Sequence, residues 1–141
     1  MVKARRFQKL LMRSYSAKLL AIRQVTQLNA GKKTAGIDGK KALTFKERFN
    51  LLEKLNKEAM DWKHKKLREI PIPKKNGKTR ILKVPTIADR AWQCLVKYAL
   101  SPAHEATFHP RSYGFRTGRS AHDAQKYIFN NLRTKPFWTI L

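Results

Sequence analysis

One two-residue turn, Asn76-Gly77, constrains the fold of this chain more than any other feature. Asn-Gly is the strongest short signal for a β-hairpin, because both residues tolerate the positive φ that the turn requires. Apolar β-type runs flank it and predict a hairpin over residues 68–84 with a cationic tip. Pro71 and Pro73 restrict the first strand to a sheet edge. Other apolar residues recur at helical spacing, which predicts a mainly helical α+β fold with a small antiparallel sheet.

The chain of 141 residues has about the usual size of one domain, so we predict a single domain. Capping-box pairs predict three helix starts. These pairs are Thr44 with Glu47, Thr86 with Asp89, and Ser120 with Asp123. The predicted parts are a basic helix over 1–29, a loop over 30–43, a helix over 44–67, the hairpin, a helical part over 86–133 with a basic aromatic loop at 110–119, and the start of a strand at 137–141. Ser101-Pro102 is expected to begin a separate helical turn, and Asp89 to lie on a polar helix face.

The charge balance points to a polyanionic partner. Lys and Arg number 32 against 9 Asp and Glu, which leaves a net charge of +23. Such self-repulsion does not help an isolated fold but favours binding to nucleic acid. The sequence has no apolar run near the ~20 residues of a membrane span, so we expect a cytoplasmic protein. The single cysteine, Cys94, lies in an apolar helical pattern and is expected to be a buried structural thiol.

The predicted helix over 1–29 has a cationic back. Nine basic residues and no acidic residue precede Asp38. At helical spacing the apolar residues gather on one side, and the opposite side carries Arg5, Arg6, Lys9, Arg13 and Arg23. A merely solvated face normally mixes both signs of charge, so the pattern favours phosphate binding.

Several catalytic motifs are excluded by their spacing. Gly77-Lys78-Thr79 resembles the end of a P-loop, but Ile72 stands where that motif needs glycine. The four histidines show no zinc-ligand spacing, and no pair of carboxylates is placed for general acid and base work. No metal site and no catalytic residue is therefore predicted within this chain.

The hairpin itself carries the candidate binding chemistry. Lys74 and Arg80 lie on opposite arms of the turn. A compact ammonium and a planar guanidinium together suit a triphosphate. A solvent-exposed hairpin that contacts the backbone of any nucleic acid would explain the same residues. The spacing alone favours neither interpretation.

The order of these blocks resembles the fingers region of group II intron reverse transcriptases, which are also called maturases. The matching blocks are Leu28–Gly31, Thr34–Gly39, Arg68, Ile70–Lys74, Gly77-Lys78, Arg80, Val84–Thr86, Asp89-Arg90, Gln93, Pro102, Glu105, Phe108, Ser112–Arg116, Arg119-Ser120 and His122. They run from about residue 14 onward, with Ala35 as a mild departure where proline is expected.

This resemblance implies the amino-terminal part of an RNA-directed DNA polymerase. It implies that Lys74 and Arg80 bind the phosphates of the incoming deoxynucleotide. It also implies that the loop over 30–43 faces the template RNA and DNA primer and that the basic helix grips intron RNA. Besides the five cations of the basic helix, the expected template or RNA contacts are Asn29, Gly31, Lys32, Lys33, Gly36, Arg111, Arg116 and Arg119.

The resemblance places the two-metal palm site beyond residue 141, so Mg²⁺ is expected in the full-length enzyme and none in this inactive fragment. The partners it implies are group II intron RNA, template with primer and dNTP, with roles in splicing and mobility in a bacterial cytoplasm. A homodimer through the strand at 137–141 is a further expectation. Two alternatives remain: a free-standing RNA-binding or RNA-chaperone module, and a related reverse transcriptase of a retroelement or defence system.

Overall fold

A computed structural model describes residues 2–132, and the strand expected at 137–141, with the dimer contact expected from it, lies outside them. The helices are α1 (Val2–Arg13), α2 (Tyr15–Arg23), α3 (Phe45–Glu58), α4 (Ile87–Thr107) and α5 (Ala121–Leu132). A π-helical turn covers Gln24–Leu28, a 3-10 turn covers Ala30–Lys33, and the strands are β1 (Arg68–Pro73) and β2 (Thr79–Val84). The expected α+β class is confirmed. The chain divides into two compact units, one up to Ser101 and one from Pro102 onward.

The predicted single helix over 1–29 is wrong, because Ser14 divides it. Ser14 takes extended backbone angles, φ −62° and ψ 125°, and its hydroxyl accepts a hydrogen bond from the Ala17 N–H at 3.3 Å. Serine favours this capping position, where its side chain replaces a missing intrahelical bond. After α2 the chain widens into the π-helical turn, which closes with Asn29 N–H donating to the Gln24 carbonyl at 2.9 Å.

The core of the first unit lies where α2, α3 and the first half of α4 meet. Ile22, Leu52, Leu55 and Ile87 are almost completely buried there. A smaller cluster, which contains Ala17, Ala21, Ala59 and Leu95, continues the core. Cys94 is half-buried against both clusters, so its thiol is less enclosed than predicted.

Helix α3 begins as predicted and ends earlier than predicted. Thr44 and Glu47 form the expected capping box. The helix ends at Glu58, where the sequence predicts helix as far as residue 67. The Trp92 indole N–H donates to the carbonyl of the C-cap residue Ala59 at 2.8 Å, and Trp62 turns its own indole towards α4. Tertiary hydrogen bonds thus replace the continuation of the helix.

The hairpin is present where the turn sequence predicts it. The two strands pair antiparallel from Arg68 opposite Val84 to Pro73 opposite Thr79. The turn is longer than the expected two residues: the Lys74 N–H donates to the Lys78 carbonyl at 2.8 Å, so residues 75–77 form the loop, and of these three only Gly77 has a positive φ, +75°. Both strands are sheet edges, which accommodates the two prolines of β1.

Helix α4 differs from the prediction at two positions. It runs without interruption through Pro102, where a separate turn is expected from the sequence. The boundary between the two units falls at the same point. Asp89, expected on a polar face, is only 2% exposed, because it points to the N-terminal cap and to Trp62 and not to water.

Candidate nucleic-acid interface

The hairpin presents its cations on one face. Ile72 is paired with Arg80, and the Lys74 N–H donates to the Lys78 carbonyl at 2.8 Å, so the ladder continues one pair beyond Pro73. Paired residues share a face, and so do residues two apart along a strand. Lys74, Lys78 and Arg80 therefore lie on the same face, and all three are exposed.

The opposite face of the hairpin has a different charge pattern. The same alternation places Glu69 and Lys83 there, and their side chains form an ion pair at 3.4 Å. The charges of Glu69 and Lys83 cancel on that face, whereas the first face carries three cations near its tip. The register thus brings the two predicted phosphate contacts, Lys74 and Arg80, to one surface.

Arg90 fastens the loop over 30–43 to the start of α4. Its guanidinium donates to the carbonyls of Gly31 at 2.7 Å, Thr34 at 2.5 Å and Pro85 at 3.1 Å. Burial lowers the pKa of the Arg90 guanidinium, and the nearby Asp38 partly opposes this shift. A guanidinium stays protonated in proteins, so the hydrogen bonds of Arg90 are charge-assisted.

Gly36 has an internal role that differs from the expected template contact. It is buried, and a Cβ at this position would approach the Thr86 Cα to 2.6 Å and the Thr86 N to 2.8 Å. Only glycine permits this close passage of two backbones. The neighbouring Ala35 carbonyl accepts from the Arg68 guanidinium at 3.4 Å, so the loop also contacts the base of the hairpin.

The remaining predicted residues of the loop lie at its surface. Asn29 is exposed and its side-chain oxygen accepts from the Gln24 amide at 2.9 Å. The Lys32 ammonium donates to the Gln27 carbonyl at 2.7 Å, which caps the π-helical turn. Lys33 is exposed beside it, and the carbonyl of Gly31 faces Arg90. The loop thus presents Lys32 and Lys33 near its surface and buries Gly36.

The predicted cations of the amino-terminal helix are divided between two helices. Arg5, Arg6, Lys9 and Arg13 are exposed on α1, and Arg23 is exposed at the end of α2. Residues four apart on a helix lie above one another, so Arg5, Lys9 and Arg13 form one stripe. The break at Ser14 separates this stripe from Arg23.

The second unit pairs two of its predicted arginines with tyrosines. The Arg111 guanidinium lies 5.3 Å from the ring centre of Tyr127, and that of Arg119 lies 5.6 Å from Tyr113. Both arginines are exposed. Stacking against a ring limits the motion of a guanidinium and leaves its edge able to contact a phosphate.

Arg116 is committed to contacts inside the second unit. Its side chain is 5% exposed and forms an ion pair with Glu105. It also donates to the carbonyls of His109 at 3.0 Å and Ser112 at 2.8 Å. The hydrogen bond with Glu105 raises the pKa of Arg116 and lowers that of the carboxyl. These contacts hold the loop over 110–119 and weigh against a direct RNA contact by Arg116.

Sequence reasoning missed the parts played by two neighbouring residues, the buried Asp89 and the half-buried Arg90. Asp89 accepts from the Trp62 indole at 2.8 Å and the Thr86 hydroxyl at 2.6 Å, and its carboxylate lies 3.5 Å from the His64 imidazole. Burial by itself raises the pKa of Asp89, but hydrogen bonds from Thr86, Trp62 and the Lys65 backbone, with the charge of His64, outweigh it, so the pKa is lowered. The available signal was the Thr86 and Asp89 capping pair, which places both side chains at the start of α4.

The part of the chain that the structure describes holds no group of three or more His, Cys, Asp or Glu side chains able to bind a metal ion. Over the same residues, 2–132, no helix combines the length and the apolar character of a membrane span.

Comparison with known proteins agrees with the residue blocks. The profile of the N-terminal domain of reverse transcriptase matches residues 1–55. Maturase-like protein 1 of Euglena gracilis is 45% identical over 130 residues, which are 92% of this chain and 28% of that protein. The chain is similar to the amino-terminal regions of reverse transcriptases and maturases. The resemblance drawn from the sequence is thereby confirmed.

Two further relatives of this amino-terminal region are similar over most of the chain. Maturase-like protein 1 of Euglena longa is 36% identical over 125 residues, 89% of this chain and 27% of that protein. Protein YkfC of Escherichia coli (strain K12) is 36% identical over 108 residues, 74% of this chain and 28% of that protein. The chain therefore spans less than a third of the length of these relatives.

Proposed function

We propose that the chain is the fingers region of an RNA-directed DNA polymerase that serves a group II intron. In this function it holds template RNA with its primer and contacts the phosphates of the incoming deoxynucleotide. The observation that carries the proposal is the register of the hairpin, which puts Lys74, Lys78 and Arg80 on one exposed face. Three cations on one face near the hairpin tip complement the anionic oxygens of a triphosphate.

Template binding is supported by the surfaces around this face. The stripe of Arg5, Lys9 and Arg13 offers positive charge with no carboxylate on α1. The loop over 30–43 is held by Arg90 and contacts the hairpin base through Arg68. A loop fixed in this way keeps its lysines at a set distance from the hairpin tip, so template and nucleotide are positioned by one framework.

In this proposal the polymerase reaction needs metal ions, and the described residues are not arranged to bind them. The described carboxylates do not converge on a common point, so we derive no metal-dependent step for them. We propose that Mg²⁺ acts in the whole enzyme, which would also support intron splicing and mobility through RNA binding. The role of residues 1–141 is to bind and orient.

The experiment is titration of the chain with a deoxynucleoside triphosphate and, separately, with single-stranded RNA. Arg80→Ala removes a forked contact of roughly 1.5–3 kcal/mol, which weakens triphosphate binding about 10- to 150-fold. Arg80→Lys recovers only part of the affinity, because the ammonium lacks the fork. RNA affinity changes little, since one charge among 32 basic residues is lost.

The matched control is Lys83→Ala, which removes one cation from the opposite face of the same strand. It leaves triphosphate affinity near that of the unmodified chain. Equal losses in Arg80→Ala and Lys83→Ala would overturn the triphosphate contact. A loss of RNA affinity in Arg80→Ala as large as its loss of triphosphate affinity would make the hairpin a backbone contact.

A further inference from the structure

An apolar groove lies between α2 with its π-helical turn and the first half of α3. Ile22 and Leu52 form its floor and are buried. Leu19, Phe49 and Phe45 also line it, and all three are exposed. Phe45, Phe49 and Leu52 follow one another at helical spacing on α3, yet their exposure rises from 2% at Leu52 to 44% at Phe49 and 73% at Phe45. The floor is therefore part of the core, while the aromatic end is open to solvent.

Phe45 and Phe49 are not packed into a closed cluster, and both expose ring surface to solvent. Their ring centres are 4.8 Å apart and the planes are inclined at 54°, so Phe45 is supported from one side by Phe49. Thr44 caps α3 immediately before Phe45, which fixes the backbone that carries the ring. An exposed aromatic ring on a fixed backbone loses little entropy when a flat partner stacks on it.

The rim of the groove is cationic. Arg23 and Arg48 line it with Gln27, and none of the described residues that line it is acidic. Arg48 is oriented by its hydrogen bond to the Leu43 carbonyl at 3.0 Å, and Arg23 is exposed. Gln27 belongs to the π-helical turn, a local widening of a helix that is frequent at functional sites. The rim thus complements an anionic ligand, while the groove itself suits an apolar or aromatic group.

We infer that this groove binds an unpaired nucleobase of the RNA, stacked on Phe45, with Arg23 and Arg48 on the flanking phosphates. This inference rests on the proposed RNA binding and adds a site for single-stranded RNA to it. Aromatic rings that alternate with cations are how proteins hold single strands, because every base has a face that stacks. Bases within an RNA duplex cannot reach a side groove, so only a loop, bulge or single strand fits.

The test uses the whole chain and a single-stranded oligoribonucleotide that carries 2-aminopurine, whose fluorescence falls when the base stacks. Phe45→Ala should weaken single-strand binding about 5- to 150-fold and abolish the fluorescence change. The dependence of affinity on salt should stay the same, because no charge is removed. Phe45→Tyr should keep the affinity, and a blunt RNA duplex should bind equally to all variants.

The matched control is Phe129→Ala, which removes another exposed phenylalanine, 62% exposed, outside the groove. It should leave both affinity and fluorescence unchanged. Circular dichroism of each variant checks that the fold is retained, and Phe45→Leu adds a variant that keeps apolar area without an aromatic face. Full affinity in Phe45→Leu would overturn stacking.

Three results separate this inference from the proposed function. Equal single-strand affinity of the unmodified chain and Phe45→Ala, with a steep salt dependence in both, overturns the base site and leaves RNA binding intact. Absence of RNA binding by the unmodified chain overturns both. Loss of binding to an amphipathic peptide of alternating Leu and Glu in Phe45→Ala, with RNA affinity unchanged, makes the groove a protein-docking site and also overturns the base site.

Discussion

The Arg90 guanidinium donates a hydrogen bond of 2.7 Å to the Gly31 carbonyl, across 59 positions of sequence. A second bond reaches Thr34 and a third reaches Pro85, so one side chain joins the loop to the segment that leaves β2. A loop with three glycines has many accessible conformations when free. Arg90 restricts this freedom and links the loop to the hairpin through contacts in the first unit.

Replacement of Arg90 should therefore loosen the loop more than it weakens the fold elsewhere. Arg90→Ala should lower the free energy of unfolding by roughly 1–3 kcal/mol, because charge-assisted hydrogen bonds are lost. Hydrogen exchange at the amide of Thr34 should accelerate. Exchange in the middle of α3 should change only as much as the overall loss of stability requires. Arg90→Lys should recover little, since an ammonium cannot reach three carbonyls at once. Unchanged exchange at Thr34 in both variants would contradict this role.

Gly36 should tolerate no side chain. Gly36→Ala places a Cβ 2.6 Å from the Thr86 Cα, and a backbone atom cannot move aside as the end of a side chain can. We expect a loss of about 1–3 kcal/mol in the free energy of unfolding, measured by denaturant titration. Gly114→Ala is the control, because a Cβ there has no neighbour within 4 Å. Similar stability of the two variants would count against the close approach.

Asp89 should make stability depend on acid pH. Its pKa is lowered in the folded chain, so its contribution is complete above the unfolded pKa of about 3.9 and disappears as pH falls through the folded pKa. The stability difference between the unmodified chain and Asp89→Asn should be largest near neutral pH and shrink in acid. Denaturant unfolding followed by tryptophan fluorescence at several pH values measures it. Asp61→Asn, at an exposed carboxylate, should show no such difference.

The sequence predicted those parts of the fold that local interactions specify. The Asn76-Gly77 turn and the pair Thr44 with Glu47 need only near neighbours, and both features are present. The end of α3 was not predictable in this way, because it depends on a hydrogen bond between Trp92 and Ala59, 33 positions apart. A pattern within one segment carries no information about such a partner.

The same distinction between local and long-range interactions applies to the candidate site. The charge pattern located the exposed cations Arg5, Lys9 and Arg80, since exposed charge needs no tertiary partner. It could not separate Arg111 from Arg116, which lie in the same loop and have the same chemistry. Glu105, eleven positions before Arg116, makes the difference by forming an ion pair with it.

Arg111 and Arg116 should consequently respond in opposite ways to the same substitution. Arg116→Gln should lower the thermal midpoint of unfolding, because carbonyls and a carboxylate inside the second unit lose their donor, and should leave the salt dependence of RNA binding unchanged. Arg111→Gln should keep the thermal midpoint and reduce the slope of log affinity against log salt by about 0.7. Calorimetry and RNA titration at several salt concentrations measure the two effects. A reduced slope in Arg116→Gln with an unchanged midpoint would reverse the assignment.

The stripe on α1 should contribute to RNA affinity through counterion release. Each phosphate neutralised on a single strand adds about −0.7 to the slope of log affinity against log salt, so replacing Arg5, Lys9 and Arg13 by Gln should reduce its magnitude by about 2. The control removes three exposed lysines elsewhere in the first unit, Lys57, Lys63 and Lys97, and has the same net charge. If the long-range field of the whole chain governed binding, both triple variants would lose the same slope. A larger loss in the α1 variant shows that phosphates contact this stripe, because only direct neutralisation depends on where the charge stands.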